Sequence, residues 1–247
     1  MKMWKDGFVA MLGLPLGLWV LAGGAGCSTT DSTNVKTSGI WAHYVVRDNG
    51  DGSVDVRAVL RVGGSTGTVV DLTNGEHMEV NGVTLTEFYD PITNLHWSHA
   101  TVSDDPMNRY DFDFIRTDDT GTPIETVSTA VIRPALPVIS DVNGGADISY
   151  GQDVTITWDA SEPGDDVDIT ISGDCIDDLS YPGLSDSGQY VVSHADMPMI
   201  GTQGCDLTIR VQRNVTTDVS AEFQGGFAEA HSFHSVTVGY SMPRAGN

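Results

Sequence analysis

Lysine is almost missing from this chain. Lys2, Lys5 and Lys36 are the only three in 247 residues, and with nine arginines they face 34 acidic side chains, a formal net charge of −22 at pH 7. Neutralising phosphates takes clustered Lys or Arg, so nucleic acid is excluded as a partner. Cysteine is as scarce, with Cys27, Cys175 and Cys205 alone. No Cys-x-x-Cys pair occurs and no His sits at zinc-ligand spacing from a thiol, which sets aside redox and zinc-finger chemistry. Helical periodicity is missing too, since no window longer than a turn or two repeats at about 3.6 residues. Gly-x-Ser-x-Gly, His-Glu-x-x-His and phosphate-binding glycine loops are all absent, and no catalytic residue is expected.

What is present is aspartate, 27 residues against 7 Glu. Asp is a turn former, because its short side chain hydrogen-bonds nearby backbone groups. With few Glu and Lys and many Val, Thr, Ile, Gly and Ser, the composition predicts an all-β protein with loaded turns. In Ser53–Val62 the residues Val54, Val56, Ala58, Leu60 and Val62 share one face and Asp55, Arg57 and Arg61 the other, the pattern of a half-buried strand. Ile40 to Arg47 is expected to pair with it across Asp48-Asn49-Gly50-Asp51-Gly52. Asn81-Gly82, between Glu76–Val80 and Val83–Phe88, predicts a two-residue type I′ turn. Further strands are expected at Leu95–Val102, Tyr110–Ile115, Thr126–Ile132, Val154–Trp158, Val167–Ile171, Gln189–Val192, Leu207–Val211 and Phe233–Tyr240. Pro134-Ala135-Leu136-Pro137 interrupts them and divides the chain into β-sandwich units over 39–133 and 134–247.

Ahead of these lie two other segments. Lys2 and Lys5, an uncharged apolar stretch from Gly7 to Leu21 and the small residues Gly23-Gly24-Ala25-Gly26 make residues 1–26 a signal peptide. Leu21-Ala22-Gly23-Gly24-Ala25-Gly26-Cys27 resembles the lipobox of bacterial lipoproteins, with Gly24 where that family usually carries Leu. The resemblance implies cleavage before Cys27 and a lipid anchor on it. With Ser28 rather than Asp next, it also implies an outer-membrane destination. Ordinary cleavage to a soluble secreted form and an uncleaved anchor are the alternatives. Residues 27–38, a Ser/Thr-rich tract without apolar period, read as a flexible tether. With Cys27 claimed, Cys175 and Cys205 remain as an even pair for one disulfide in an oxidising compartment. Its loop of about 30 residues corresponds to roughly 3.5 kcal/mol on the chain-entropy estimate.

Gly151-Gln152-Asp153-Val154-Thr155-Ile156-Thr157-Trp158 resembles the tryptophan-bearing strand of fibronectin type III and related Ig-like domains, and Asp186-Ser187-Gly188-Gln189-Tyr190 the Asp-x-Gly-x-Tyr corner of immunoglobulin domains. True Ig domains place a Cys two after that Tyr, where this chain has Val192. Over its whole mature length the chain is similar to a group of secreted bacterial lipoproteins. The likeness is carried by Asp48–Gly52, Leu60–Gly64, the Trp158 strand, Ile171–Ile176, Gly204-Cys205, Arg213 and Gly225-Gly226. It implies a fold and an address and brings no activity.

Carboxylate clusters remain as candidate sites. Asp118-Asp119 and Asp165-Asp166-Asp168 offer oxygen ligands that loops at a sandwich end could bring to Ca²⁺, although solvated turns explain them without a metal. No cofactor is expected beyond that calcium alternative. Asp48–Asp55 fails as an EF-type loop, since its third and fifth positions are Gly50 and Gly52. Asp111 and Asp113 share a strand face, and a hydrolase of an envelope or extracellular polymer would use such a pair. His96/His99 and His231/His234 are i, i+3 pairs, which a strand sends to opposite faces. The function expected is a membrane-anchored envelope lipoprotein acting as a binding or structural module. Its partners would be the membrane, through the N-terminal lipid, and an envelope protein or polysaccharide, with Trp97 and Tyr181 as candidate sugar-stacking aromatics. The polymer hydrolase and a calcium-stabilised adhesion module are the alternatives.

Overall fold

A computed structural model describes residues 29–90, 95–160, 166–201 and 204–242. The signal peptide and Cys27 lie outside the described residues. The first half supplies β1 (Thr29–Asp31), β2 (Ile40–Asp48), β3 (Ser53–Val62), β4 (Thr68–Asp71), β5 (His77–Val80), β6 (Val83–Thr84), β7 (Thr86–Asp90), β8 (Leu95–Ser103), β9 (Arg109–Thr117) and β10 (Pro123–Ile132). The second supplies β11 (Ile139–Val142), β12 (Ile148–Ser149), β13 (Val154–Trp158), β14 (Asp166–Ser172), β15 (Leu179–Ser185), β16 (Gln189–Val192), β17 (Cys205–Asp218) and β18 (Gly225–Ser241). Four short 3₁₀ turns are the only helical elements among the described residues, and the protein is all-β.

Local chemistry explains the tight turns. At the β2–β3 hairpin the Asp48 carboxylate accepts from the Gly50 N–H at 2.7 Å, and Gly50 and Gly52 take φ of 75° and 86°. Asn81 (φ 48°) and Gly82 (φ 78°) give the type I′ turn its two left-handed residues. Past that turn the chain changes sheets. β6 pairs with β5, whereas β7 pairs with β8, and buried Leu85 marks the crossing.

Three sheets result. An eleven-stranded sheet runs β1-β4-β3-β2-β18-β17-β14-β15, with β7 and β8 joined at β3 and β12 at β18. Sheets β10-β9-β5-β6 and β11-β13-β16 stand apart from it. Two cores form. Tyr44, Val56, Phe112 and Phe114 lie in the first, with Tyr44 stacked on Phe112 at 4.5 Å, and Ile156, Trp158, Ile169 and Val211 lie in the second.

The strands expected at Leu207–Val211 and Phe233–Tyr240 are parts of a longer C-terminal hairpin that joins the two cores. β17 has 14 residues and β18 has 17, and their ladder continues from Cys205↔Tyr240 to Asp218↔Phe227. The start of β18 pairs in parallel with β2, from Gly225↔Trp41 to His231↔Arg47. Phe223, Ala228 and Ala230 therefore sit in the first core, while Tyr240, Val236 and Val238 serve the second. The linker is held where the hairpin passes between the cores. Ser232 donates its hydroxyl to the Pro134 and Ala135 carbonyls at 2.9 and 3.0 Å, and the buried Arg213 donates to Ala135 O at 2.8 Å.

The expected flexible tether over 27–38 is corrected from Thr29 onward. β1 adds in parallel to β4, and Ser32 and Thr37 are buried. Arg116 donates to the Ser32 carbonyl at 2.9 Å and to the Thr37 hydroxyl at 3.2 Å, while its Nε pairs with buried Glu76 at 2.9 Å. Thr37 donates in turn to Glu125 at 2.8 Å. A Ser/Thr tract with no apolar period reads as solvated, but here its polar groups are satisfied by partners 79 to 88 residues away. Composition carries no trace of such partners.

Candidate binding face

The eleven-stranded sheet turns one face to the two cores and the other outward. On β2 the buried residues Ala42, Tyr44 and Val46 alternate with Trp41, His43, Val45 and Arg47, and on β3 Val54, Val56 and Ala58 alternate with Asp55, Arg57, Val59 and Arg61. Register carries this outer row across the sheet. Arg61 lies opposite Trp41, Val45 opposite Arg57, Phe227 opposite His43 and Arg47 opposite His231. On β17, Arg210, Gln212 and Asn214 lie opposite Ser235, Phe233 and His231, and Arg57 has His99 of β8 on its other side.

Arginine is distributed unevenly. Arg109, Arg116, Arg133 and Arg213 each form an ion pair with a carboxylate: Asp111 at 2.7 Å, Glu76 at 2.9 Å, Asp48 and Asp104 at 3.0 and 2.8 Å, and Asp186 at 2.6 Å. The other four described arginines, Arg47, Arg57, Arg61 and Arg210, form no carboxylate ion pair among the described residues, and all four stand on the outer face of the large sheet. Arg210 Cζ lies over the Phe233 ring, 3.6 Å from its centroid, and the guanidinium donates to Gln212 at 2.7 Å, while its Nε is buried without a partner. Arg57 lies over Trp97 at 6.0 Å. Arg61 donates to the Gly67 carbonyl at 3.1 Å. Burial and the neighbouring Arg47 guanidinium push the Arg210 pKa down, against a smaller upward pull from Asp48, whose carboxylate is itself paired with Arg133.

Carboxylates on this face are engaged elsewhere. Asp55 accepts from the Thr101 hydroxyl at 2.8 Å, and Asp168 accepts from Gly183 N–H and Asn214 Nδ2 at 2.8 Å each. Glu229 stands 3.7 Å from both His43 and His231. Burial nevertheless holds both imidazoles below their ordinary value of 6.5, against the upward pull of Glu229 and with Arg61 and Arg47 adding to the depression. Unfolded histidines take protons near that value while the native ones do not, so acidification through it favours the unfolded state. Melting temperature is therefore expected to fall between pH 7 and pH 5.5, with a shallower slope in a His43→Gln/His231→Gln double variant. An identical slope in the variant contradicts this assignment.

The sites proposed from sequence are not brought together. Asp118 closes its own turn, accepting from Thr120 N–H, Thr120 hydroxyl and Thr122 N–H at 2.9, 2.6 and 2.9 Å, and these bonds lower its pKa. Asp119 follows it in the same turn. Asp166 is exposed at the start of β14 opposite Asn214, Asp168 is taken by Gly183 and Asn214, and Asp165 lies outside the described residues. Among the described residues no group of three or more His, Cys, Asp or Glu is placed to hold a metal ion. Asp111 pairs with Arg109, and Asp113 accepts from Ser128, so the two carboxylates of β9 do not converge on one proton. His96 meets Tyr89 at 4.4 Å and His99 meets Phe88 at 6.0 Å, on opposite faces of β8. Trp97 is on the outer face beside Phe88, at 4.8 Å, whereas Tyr181 packs against Tyr190 at 5.2 Å next to the second core. Cys175 and Cys205 are joined in a disulfide with Cα atoms 5.8 Å apart.

Alternation on β3 places Arg57 and Arg61 outward, but β3 alone does not reveal the rest of the face. Its other half comes from β17 and β18, and the parallel β2–β18 pairing leaves no local signature. The missed Trp158–Asp186–Arg213 cluster also spans the fold. Trp158 Nε1 donates to one Asp186 oxygen at 2.6 Å, and Arg213 Nε donates to the other at 2.6 Å.

No family model matches the chain, and no curated protein does. Among solved structures it is similar to the crystal structure of chicken CNTN1 FN1-FN3 domains, at 13% identity and a TM-score of 0.26, covering 84% of this chain and 66% of that one. So remote a likeness carries no functional argument. The all-β class rests on the strands themselves.

Proposed function

We propose that the protein is an envelope lipoprotein, held to the membrane through Cys27 and acting as a binding module rather than an enzyme. The observation that carries the module reading is the outer sheet face, where four arginines without carboxylate partners and several aromatic rings are displayed by one hydrogen-bonded sheet. The Cys175–Cys205 disulfide supports an address outside the reducing cytoplasm. Among the described residues no helix is long and apolar enough to cross a membrane.

The docked tract sharpens the anchoring. β1 begins at Thr29, two residues beyond Cys27. At no more than about 3.5 Å per residue, a lipid on Cys27 would hold the edge of the large sheet within roughly 7 Å of chain from its attachment point, close to the bilayer. In the expressing bacterium the wild-type chain is expected in the detergent-soluble membrane fraction and a Cys27→Ser variant in the soluble fraction. A Cys27→Ser chain that stays in the membrane overturns the anchor.

A further inference from the structure

We propose that the outer face of the eleven-stranded sheet binds an extended, carboxylate-bearing polysaccharide through Arg47, Arg57, Arg61 and Arg210. The inference rests on the binding-module reading and names the ligand class of that same face.

Charge is the first ground. Although the chain has 34 acidic and 12 basic side chains, four of its eight described arginines form no carboxylate ion pair. These four share one face, and of the carboxylates beside them Asp55 and Asp168 are bonded to other donors, while Glu229 stands between His43 and His231. A guanidinium offers a planar fork of donors that matches a carboxylate in a bidentate pair. Two of these guanidiniums are already oriented. Arg210 is fixed on Phe233 and by Gln212, with its buried Nε left over, and Arg57 lies over Trp97. Holding a guanidinium on a ring in advance lowers the ordering cost of binding.

Spacing is the second ground. Arg57 and Arg61 are separated along β3 by about 13 Å, four residues at about 3.3 Å each. Arg47 is on the neighbouring β2, and Arg210 lies across β18 on β17. One small anion cannot reach all four, whereas a polymer with a charge on each sugar can. Trp41, half-buried and edge-on to Phe227 at 5.6 Å, lies opposite Arg61 and offers apolar surface to a sugar ring. A bilayer suits the face less well. A charged plane would also meet Asp55, Asp166 and Glu229, while a single glycan strand can follow the arginines between them.

The test is calorimetric titration of the mature protein at low salt with an oligogalacturonate, a neutral malto-oligosaccharide of equal length, and phosphatidylglycerol vesicles. The expected result is binding of the oligogalacturonate alone, weakening as salt rises. An Arg47→Gln/Arg210→Gln variant with an unchanged melting temperature should bind at least about tenfold more weakly, the effect of losing charged hydrogen bonds. Arg109→Gln, which removes an ion-paired arginine from another sheet, should bind as the wild type does. No oligogalacturonate binding, or preference for the vesicles, overturns the inference and leaves a Cys27-dependent anchor standing. Equal binding by the double variant overturns the assignment to this face while the module reading survives.

Discussion

Replacing Asp186 by Asn should lower the stability of the mature protein by about 3–5 kcal/mol, read from the denaturant midpoint at unchanged slope. The Asp186 and Arg213 side chains are both 1% exposed. One carboxylate oxygen takes the Trp158 indole N–H and the other takes Arg213 Nε. The same guanidinium donates to the carbonyls of Ala135 and Asp159, and so ties the linker and the end of β13 to β17. Asn keeps the shape but leaves a buried guanidinium without its counter-charge, which is the costly way to break such a pair. Replacing both partners, Asp186→Leu with Arg213→Met, should recover only part of the loss. The Trp158 N–H and the two carbonyls would still lack their partners, at about 1–3 kcal/mol for each buried group left unsatisfied. Full recovery in the double variant would show that the cluster is a bare ion pair rather than a junction.

Gly226→Ala should cost about 3 kcal/mol or more, an effect reserved for backbone collisions and core defects. Gly226 has φ of 134°, and a Cβ there would fall on the carbonyl oxygen of Ala42, its register partner on β2. Neither backbone can yield without parting β18 from β2. Gly144→Ala is the control, because Gly144 also has positive φ, 72°, but a Cβ there meets nothing within 4 Å. That change should cost only the strain of a left-handed residue, about 1–2 kcal/mol. Equal losses at the two positions would mean that the β18–β2 contact contributes nothing.

Legibility in the sequence followed the range of the interactions. The β2–β3 hairpin and the Asn81-Gly82 turn could be read because alternation and turn chemistry lie within some twenty residues. β13 was read from Val154 to Trp158, and the Cys175–Cys205 pairing from the parity of a small count. β17 and β18 were read as much shorter strands. Ala228, Ala230 and Ser232 occupy the inward positions of β18, and such small residues give almost no hydrophobic period although they are buried. The docking of residues 29–39 depends on Arg116, Glu76 and Glu125, whose distance in sequence hides them. The outer face of the large sheet was half legible for the same reason. Arg57 and Arg61 alternate visibly on β3, but Arg47 and Arg210 become neighbours only when a parallel pairing over some 180 residues brings β18 against β2.

The large sheet presents one continuous outer face only through that pairing. Amide hydrogen exchange of the mature protein reports it residue by residue. Amides of Gly226 to His231 should exchange as slowly as those of Leu207 to Val211 in the second core, opening only with global unfolding. Exchange at 226–231 as fast as in the loops, with 232–240 still protected, would mean that β18 ends at the second core and that the eleven-stranded face is two separate surfaces.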